Sequence, residues 1–222
     1  VIVAIDGPSG AGKSTLAKRL ARELGFTYLD TGAMYRALAL KMLRQGIDPD
    51  EETRLAALLR ETEISLKEYQ GRLQVLLDGV DVANLIRTPE VSQMASKVSA
   101  RKIVRQRMME LQRAAAGKGG IVAEGRDIGT VIFPGAEVKV YLDASISERA
   151  RRRYEELRAS GRQVSMDETI REITERDRRD SERDLAPLCR ASDAVAVDSS
   201  MLTADAVAQR VLELIRVRLQ EN

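Results

Sequence analysis

No histidine and no tryptophan occur in the 222 residues, cysteine occurs once, and aromatic side chains make up only 3%. Without histidine there is no Ser-His or Cys-His nucleophile pair and no His-ligated metal centre, which removes whole reaction classes. The lone Cys189 has no partner for an internal disulfide and fits a reducing compartment; it is expected to be a small buried or half-buried residue without chemistry. So few aromatics leave few platforms for stacking bases, and 36 Lys and Arg against 34 Asp and Glu give a formal charge of only +2. Neither nucleic acid nor a membrane surface is therefore expected as a partner, and any basic site must be local. No apolar run reaches about 18 residues and no signal-peptide pattern is read, so the cytoplasm is the expected compartment. No sustained heptad or long exposed apolar stripe stands out, and a monomer is expected.

What is present is a regular alternation. "VIVAID", "FTYLD", "GIVAEG", "AEVKVYLD" and "DAVAVD" read as five short apolar strands, the first and the last three expected to be buried, with helical stretches between them. This predicts an α/β fold with a doubly wound parallel sheet, helices on both faces and ligands at the carboxyl ends of the strands. "EISLKEYQGRLQVLLDGVDVANLI" departs from that rhythm, because its apolar residues alternate and Gln-Gly and Asp-Gly supply hairpin turns. The expected division is a core of residues 1–62, 88–148 and 184–222, a small antiparallel β insert at 63–87, and an Arg-rich helical lid at 149–183. Asp48 is read as the N-cap of a helix with Pro49 at its first position and Glu51 completing a capping box, and Thr88-Pro89 as the start of a long helical segment broken near Ser99.

"GPSGAGKS", residues 7–14, satisfies G-x-x-x-x-G-K-[ST] between a strand and a helix, the context that makes the pattern specific. Gly7, Pro8, Ser9, Gly10, Ala11 and Gly12 form a loop whose glycines let backbone N–H groups close on phosphate oxygens. Lys13 supplies a point charge to the β and γ phosphates. Ser14 offers a hydroxyl to Mg²⁺ bound with ATP, and Thr15 continues the helix N-terminus with its positive dipole end. A glycine-rich turn with an incidental lysine would leave the joint spacing unexplained. The loop does not by itself identify the reaction; a guanine-reading N-K-x-D stretch is missing, which argues against a GTPase.

"DTGAMYR" (30–36) and "EGRDIG" (124–129) each follow a strand and fall on the rim where an acceptor would sit. With "IDGPSGAGKST", "EGRDIGTVIFP", "VKVYLDAS" and "RDRRDSERDLAPL", they make essentially the whole chain resemble the cytidylate kinases, bacterial nucleoside-monophosphate kinases that phosphorylate CMP and dCMP from ATP. The resemblance implies that Arg36 and Arg126 hold the CMP phosphate, that Thr31, Arg105, Asp127 and Arg183 read the base, and that Ser96, Arg176 and Asp180 read the pentose. Tyr35 accompanies them in the acceptor site, and Lys13, Arg126, Arg176 and Arg179 act on the transferring group. Asp127 can accept from the cytosine amino group, a pattern that uracil inverts. The family's frequent proline shortly before the base-reading arginine is absent from "SARKIVR", and for Ser96 and Arg105 the alternative is ordinary exposed helix residues. Another small kinase acting on a different monophosphate, or a non-catalytic nucleotide-binding module, are the competing functions.

"ERDRRDSERD" (175–184) carries nine charges in ten residues, four basic and five acidic. Without context this is a solvated helix face laced with i,i+4 pairs. Beside phosphate-site motifs it reads as a lid. With Ser165 and Glu168 as a capping box, Arg176, Asp180 and Arg183 share one face as an Arg-Asp-Arg stripe. Asp177 and Glu182 are then expected to hold the planes of Arg178 and Arg179. The cluster "ERARRRYEELR" (148–158), by resemblance, lies near the ATP.

Overall fold

The structure, a computed structural model, describes residues 1–117 and 119–220. The chain divides into two compact units, one made of Val1–Tyr28 with Gly119–Asn222 and the other of Leu29–Lys118.

In the first unit, β1 (Ile2–Asp6) is half-buried at its first residue and buried thereafter, as its unbroken apolar run requires. It forms the centre of a parallel sheet, flanked by β6 (Ile121–Gly125) and β7 (Val138–Asp143), with Asp6 in register with both Gly125 and Tyr141. β2 (Thr27–Asp30), which runs across the boundary of the two units, and β8 (Val195–Asp198) complete the order β2-β6-β1-β7-β8. Of the three later strands read as buried, β6 is so throughout, β7 alternates, and β8 buries only Val197. The difference follows from position, since β8 has a neighbour on one side only. α1 (Lys13–Leu24) turns Leu16, Ala17 and Leu20 inward onto β6 and packs beside α8 (Ala204–Gln220), which contributes Val207, Val211 and Ile215. α6 (Ile146–Ala159) and α7 (Met166–Glu182) pack on each other. Between β6 and β7, Ile128–Ile132 form one wide, π-type turn that the sequence pattern does not announce.

The second unit is built on α2 (Thr31–Gln45), whose Met34, Leu38 and Met42 are fully buried. Around it stand α3 (Glu52–Arg60), α4 (Pro89–Val98) and α5 (Lys102–Ala115). The interruption expected near Ser99 is real, and Thr88 caps α4 through its side chain with Pro89 at N1. The antiparallel sheet is present as β3 (Ile64–Tyr69), β4 (Arg72–Leu77) and β5 (Val80–Asp81). Its turns, Gln70-Gly71 and Asp78-Gly79, hold positive φ at both residues, the backbone that matches strand twist in two-residue hairpins. α3 starts at Glu52, later than the Asp48 cap predicts. The Asp48 side chain instead accepts from Asp50 N and the Glu51 side chain accepts from Asp48 N, a closed turn of its own ahead of the helix.

Candidate functional site

The loop at residues 7–12 follows the C-terminal end of the central strand and is wrapped tightly. A Cβ at Gly7 would lie 1.9 Å from the Leu142 carbonyl oxygen, and one at Gly10 3.0 Å from Arg149, so the close approach admits glycine alone. Two guanidinium groups of α6 hold the loop from outside: Arg149 Nη1 donates to Ser9 O at 3.1 Å and Arg152 Nη1 to Ala11 O at 3.3 Å. A planar trans peptide directs its N–H opposite to its C=O, so carbonyls fixed this way present the amides of Gly10 and Gly12 on the other side. Gly12, at φ 97°, is the N-cap of α1 and makes no side-chain cap, which leaves the helix N-terminus open to an anion.

Lys13 is buried, with Nζ donating to Pro8 O at 2.7 Å. Burial first, and the Arg126 guanidinium second, push its ammonium pKa well down, and Arg176 acts in the same direction. A buried cation set against two further cations is a site that gains from an arriving polyanion. Ser14 and Thr15 follow on the exposed first turn, where the Ser14 hydroxyl is an accessible oxygen donor of the kind magnesium takes.

After β6, Arg126 Nε donates to Asp180 Oδ2 at 2.9 Å, and Arg176 Nε lies 4.0 Å from the same oxygen. Burial works to raise the Asp180 carboxyl, but Arg126, Arg176 and Arg183 outweigh it and hold the pKa below the ordinary value. Asp127 Oδ1 stands 3.6 Å from Arg183 Nη2, both side chains buried. Lys13, Arg126, Asp127, Arg176, Asp180 and Arg183 therefore belong to one unit, and Arg126, Arg176 and Asp180 to one network. Arg179 is not brought into that network: among the described residues its one ion pair is with Glu175, at 4.0 Å.

Three expectations for this region are corrected. Arg183 is not on the α7 stripe, because the helix stops at Glu182 and Arg183 turns extended (φ −67°, ψ 140°), with Nε donating to Ala186 O at 2.6 Å. Asp177 does not serve Arg178 or Arg179; it pairs with Arg149 Nη1 at 2.7 Å and so joins α7 to the helix that holds the loop. Cys189 is exposed, since it falls in irregular chain beyond α7 instead of in a packed element. Glu175, Arg178 and Glu182 form the solvated ladder that a charge run ordinarily makes. The Ser165–Glu168 capping box is present in full.

In the other unit, Thr31 opens α2 and is buried, with Asp30 as N-cap accepting from Ala33 N at 2.7 Å. Arg36 folds back along the helix, its Nη2 3.2 Å from Asp30 Oδ2, over Gly32, where a Cβ would meet Arg36 Nη1 at 2.9 Å. Arg36 Nε is buried without a hydrogen bond among the described residues. Tyr35 is half-buried one position before it. Ser96 and Arg105 are both buried, not ordinary exposed residues. Ser99 links them: its hydroxyl donates to Ser96 O at 2.9 Å and its carbonyl accepts from Arg105 Nη1 at 3.3 Å. The Ser96 hydroxyl has no hydrogen-bond partner among the described residues.

Sequence reasoning missed four residues. Asp30 and Arg149 position arginines and loop carbonyls, and Glu124, buried in β6, accepts from the Tyr28 hydroxyl. Asp6, the last residue of β1, accepts from Ile128 N and Gly129 N, each at 2.8 Å. Burial raises its carboxyl pKa to about 6 despite those two bonds. A charged residue closing an apolar strand, as in "VAID" and "VAEG", is the one signal that pointed to Asp6 and Glu124.

A glycine loop between the central strand of a parallel sheet and a helix, with a buried lysine opening the helix and a half-buried arginine after the neighbouring strand, defines a P-loop nucleotide-binding kinase. The cytidylate kinase family model matches residues 3–217, and the chain belongs to that family. It is 51% identical to the cytidylate kinase of Geobacter sulfurreducens, covering 98% of this chain and 94% of that one. To the cytidylate kinase of Citrifermentans bemidjiense it is 50% identical, over 100% of this chain and 95% of the other. Among solved structures, an uncharacterized protein from Eubacterium ventriosum shares the fold with a TM-score of 0.54 at 12% identity, covering 97% of this chain and 98% of that one.

Proposed function

We propose that the protein transfers the γ-phosphoryl group of ATP to CMP and dCMP, giving CDP or dCDP and ADP. The observation that carries this reading is the set of cations beside the phosphate loop, buried Lys13 with half-buried Arg126 and Arg176 acting on it, in a chain of the cytidylate kinase family. The acceptor phosphate is already an oxyanion nucleophile at neutral pH, so no general base is needed, in keeping with a chain without histidine. The chemistry reduces to alignment and charge compensation.

Residues 7–15 hold the ATP phosphates. Magnesium, when bound with ATP, would be held by the Ser14 hydroxyl together with phosphates and water, and would neutralise charge on the phosphates. Arg36 and Arg126 grip the acceptor phosphate, each leaving the carboxylate that now holds it, Asp30 or Asp180. Thr31, Arg105, Asp127 and Arg183 read the base, Ser96, Arg176 and Asp180 the pentose, and Tyr35 lines the acceptor. Arg179 joins Arg126 and Arg176 on the transferring group when the lid, residues 149–183, closes and excludes water. The insert at 63–87 serves the acceptor side of the core formed by the remaining segments. The protein acts on small nucleotides as a cytoplasmic monomer, and the near balance of charge speaks against nucleic acid or a membrane surface as a partner.

An assay of ADP release with ATP and a panel of CMP, dCMP, UMP, AMP and GMP tests the reading. CMP and dCMP are expected to be the best acceptors. AMP or UMP best by a wide margin would overturn it.

A further inference from the structure

Asp6 and the turn at Ile128–Ile132 stand in an unusual relation. Asp6 ends β1 and is followed directly by Gly7, so its backbone is continuous with the phosphate loop. Its carboxylate takes the N–H groups of Ile128 and Gly129 at 2.8 Å each. Those are the first two N–H groups of the turn, the groups that a helical start leaves without intrahelical acceptors. The residue in the N-cap position of that turn is Asp127, a residue type well suited to capping, yet its side chain makes no cap and faces Arg183 instead. Gly129 is closed in by the Lys139 stem, 3.1 Å from a Cβ built there, with Asp6 Oδ2 at ordinary contact distance, 3.5 Å.

We infer that Asp6 is a positioning residue for acceptor choice: by capping the turn from a neighbouring strand it releases the Asp127 carboxylate to read the base. Two parallel N–H donors call for two acceptor oxygens on one short side chain. Asparagine supplies one oxygen and sets an N–H against an N–H, and glutamate is one carbon too long for the gap. When Asp6 fails, the nearest carboxylate able to cap the turn is that of Asp127 itself. It then leaves the base, and the loop carrying Arg126 loses its fixed place beside the phosphate loop.

The inference rests on the reading of Asp127 as the base-reading acid. The test is the ratio of kcat/KM between the best acceptor and its nearest rival in wild type, Asp6→Asn, Asp127→Asn and the double variant. Asp6→Asn is expected to lower the ratio at least about tenfold and to raise the acceptor KM, with the KM for ATP changing by less than about threefold. In the double variant the ratio falls no further than in Asp127→Asn alone, within about twofold, because one residue acts through the other. Should Asp6→Asn not fold, Asp6→Glu, whose carboxylate is one carbon too far out to take both N–H groups, is expected to lower the ratio in the same way. A uniform loss of kcat with the ratio unchanged, or single effects that multiply in the double variant, overturns the inference. A wild type that prefers a base other than cytosine contradicts the proposed function, and the comparison of ratios still decides the role of Asp6.

Discussion

At the scale of single residues, the site is governed by which charges are buried and what they face. Asp6 sits among Lys13, Asp127 and two backbone donors, and burial outweighs those donors to bring its pKa up to about 6. An acid whose folded pKa lies above its unfolded value binds its proton more tightly in the native state. Its contribution to stability is therefore fully present below the unfolded pKa and is lost as pH rises through about 6. Denaturant unfolding of wild type and Asp6→Asn at pH 4.5 and 7 should show the wild type losing ground to the variant at the higher pH. A difference independent of pH contradicts the assigned environment. Arg126 meets the opposite case. Its partner Asp180 is buried, and removing the guanidinium leaves that carboxylate with Arg176 at 4.0 Å as its nearest cation. Arg126→Ala is expected to cost at least about 1 kcal/mol of stability as well as activity, whereas Arg178→Ala, on the exposed ladder, should leave turnover within about threefold. Steady-state kinetics on the two variants separates the arginine paired with a buried carboxylate from the solvated one.

At the scale of elements, local chemistry was readable wherever neighbours along the chain decide the outcome. The Ser165–Glu168 box starts α7, Thr88-Pro89 starts α4, and Gln-Gly and Asp-Gly turn the small sheet, all at the residues their patterns indicate. Ser165→Ala should lower unfolding free energy by about 1 kcal/mol in denaturant titration, since the hydroxyl that accepts from Glu168 N and donates to the Glu168 carboxylate is lost. What could not be read is what distant residues decide. α7 was expected to carry Arg183, but Leu188 N returns to Asp180 O at 2.7 Å and closes the helix end one residue earlier. Asp177 looks like one more rung of a surface ladder until Arg149 meets it from α6. The cap of the turn at Ile128 comes from a strand more than a hundred residues away, so no local pattern announces it. Ser96 and Arg105 were placed by resemblance, and their burial with Ser99 between them is legible only in three dimensions.

At the scale of the molecule, acidic and basic residues nearly balance, so selection of the ligand rests on local fields and not on net charge. No helix among the described residues is long and apolar enough to cross a membrane. The phosphate loop, Asp6, Arg126, Asp127 and the α7 network belong to one unit, while Arg36, Ser96 and Arg105 belong to the other. Phosphoryl transfer from ATP is directed to a cytosine nucleotide. Limiting ATP labelled in its γ-phosphate, offered to an equimolar mixture of CMP and UMP, measures this directly. Label is expected in CDP over UDP by at least about a hundredfold, with little inorganic phosphate. Comparable label in the two diphosphates, or label released chiefly as inorganic phosphate, would contradict it.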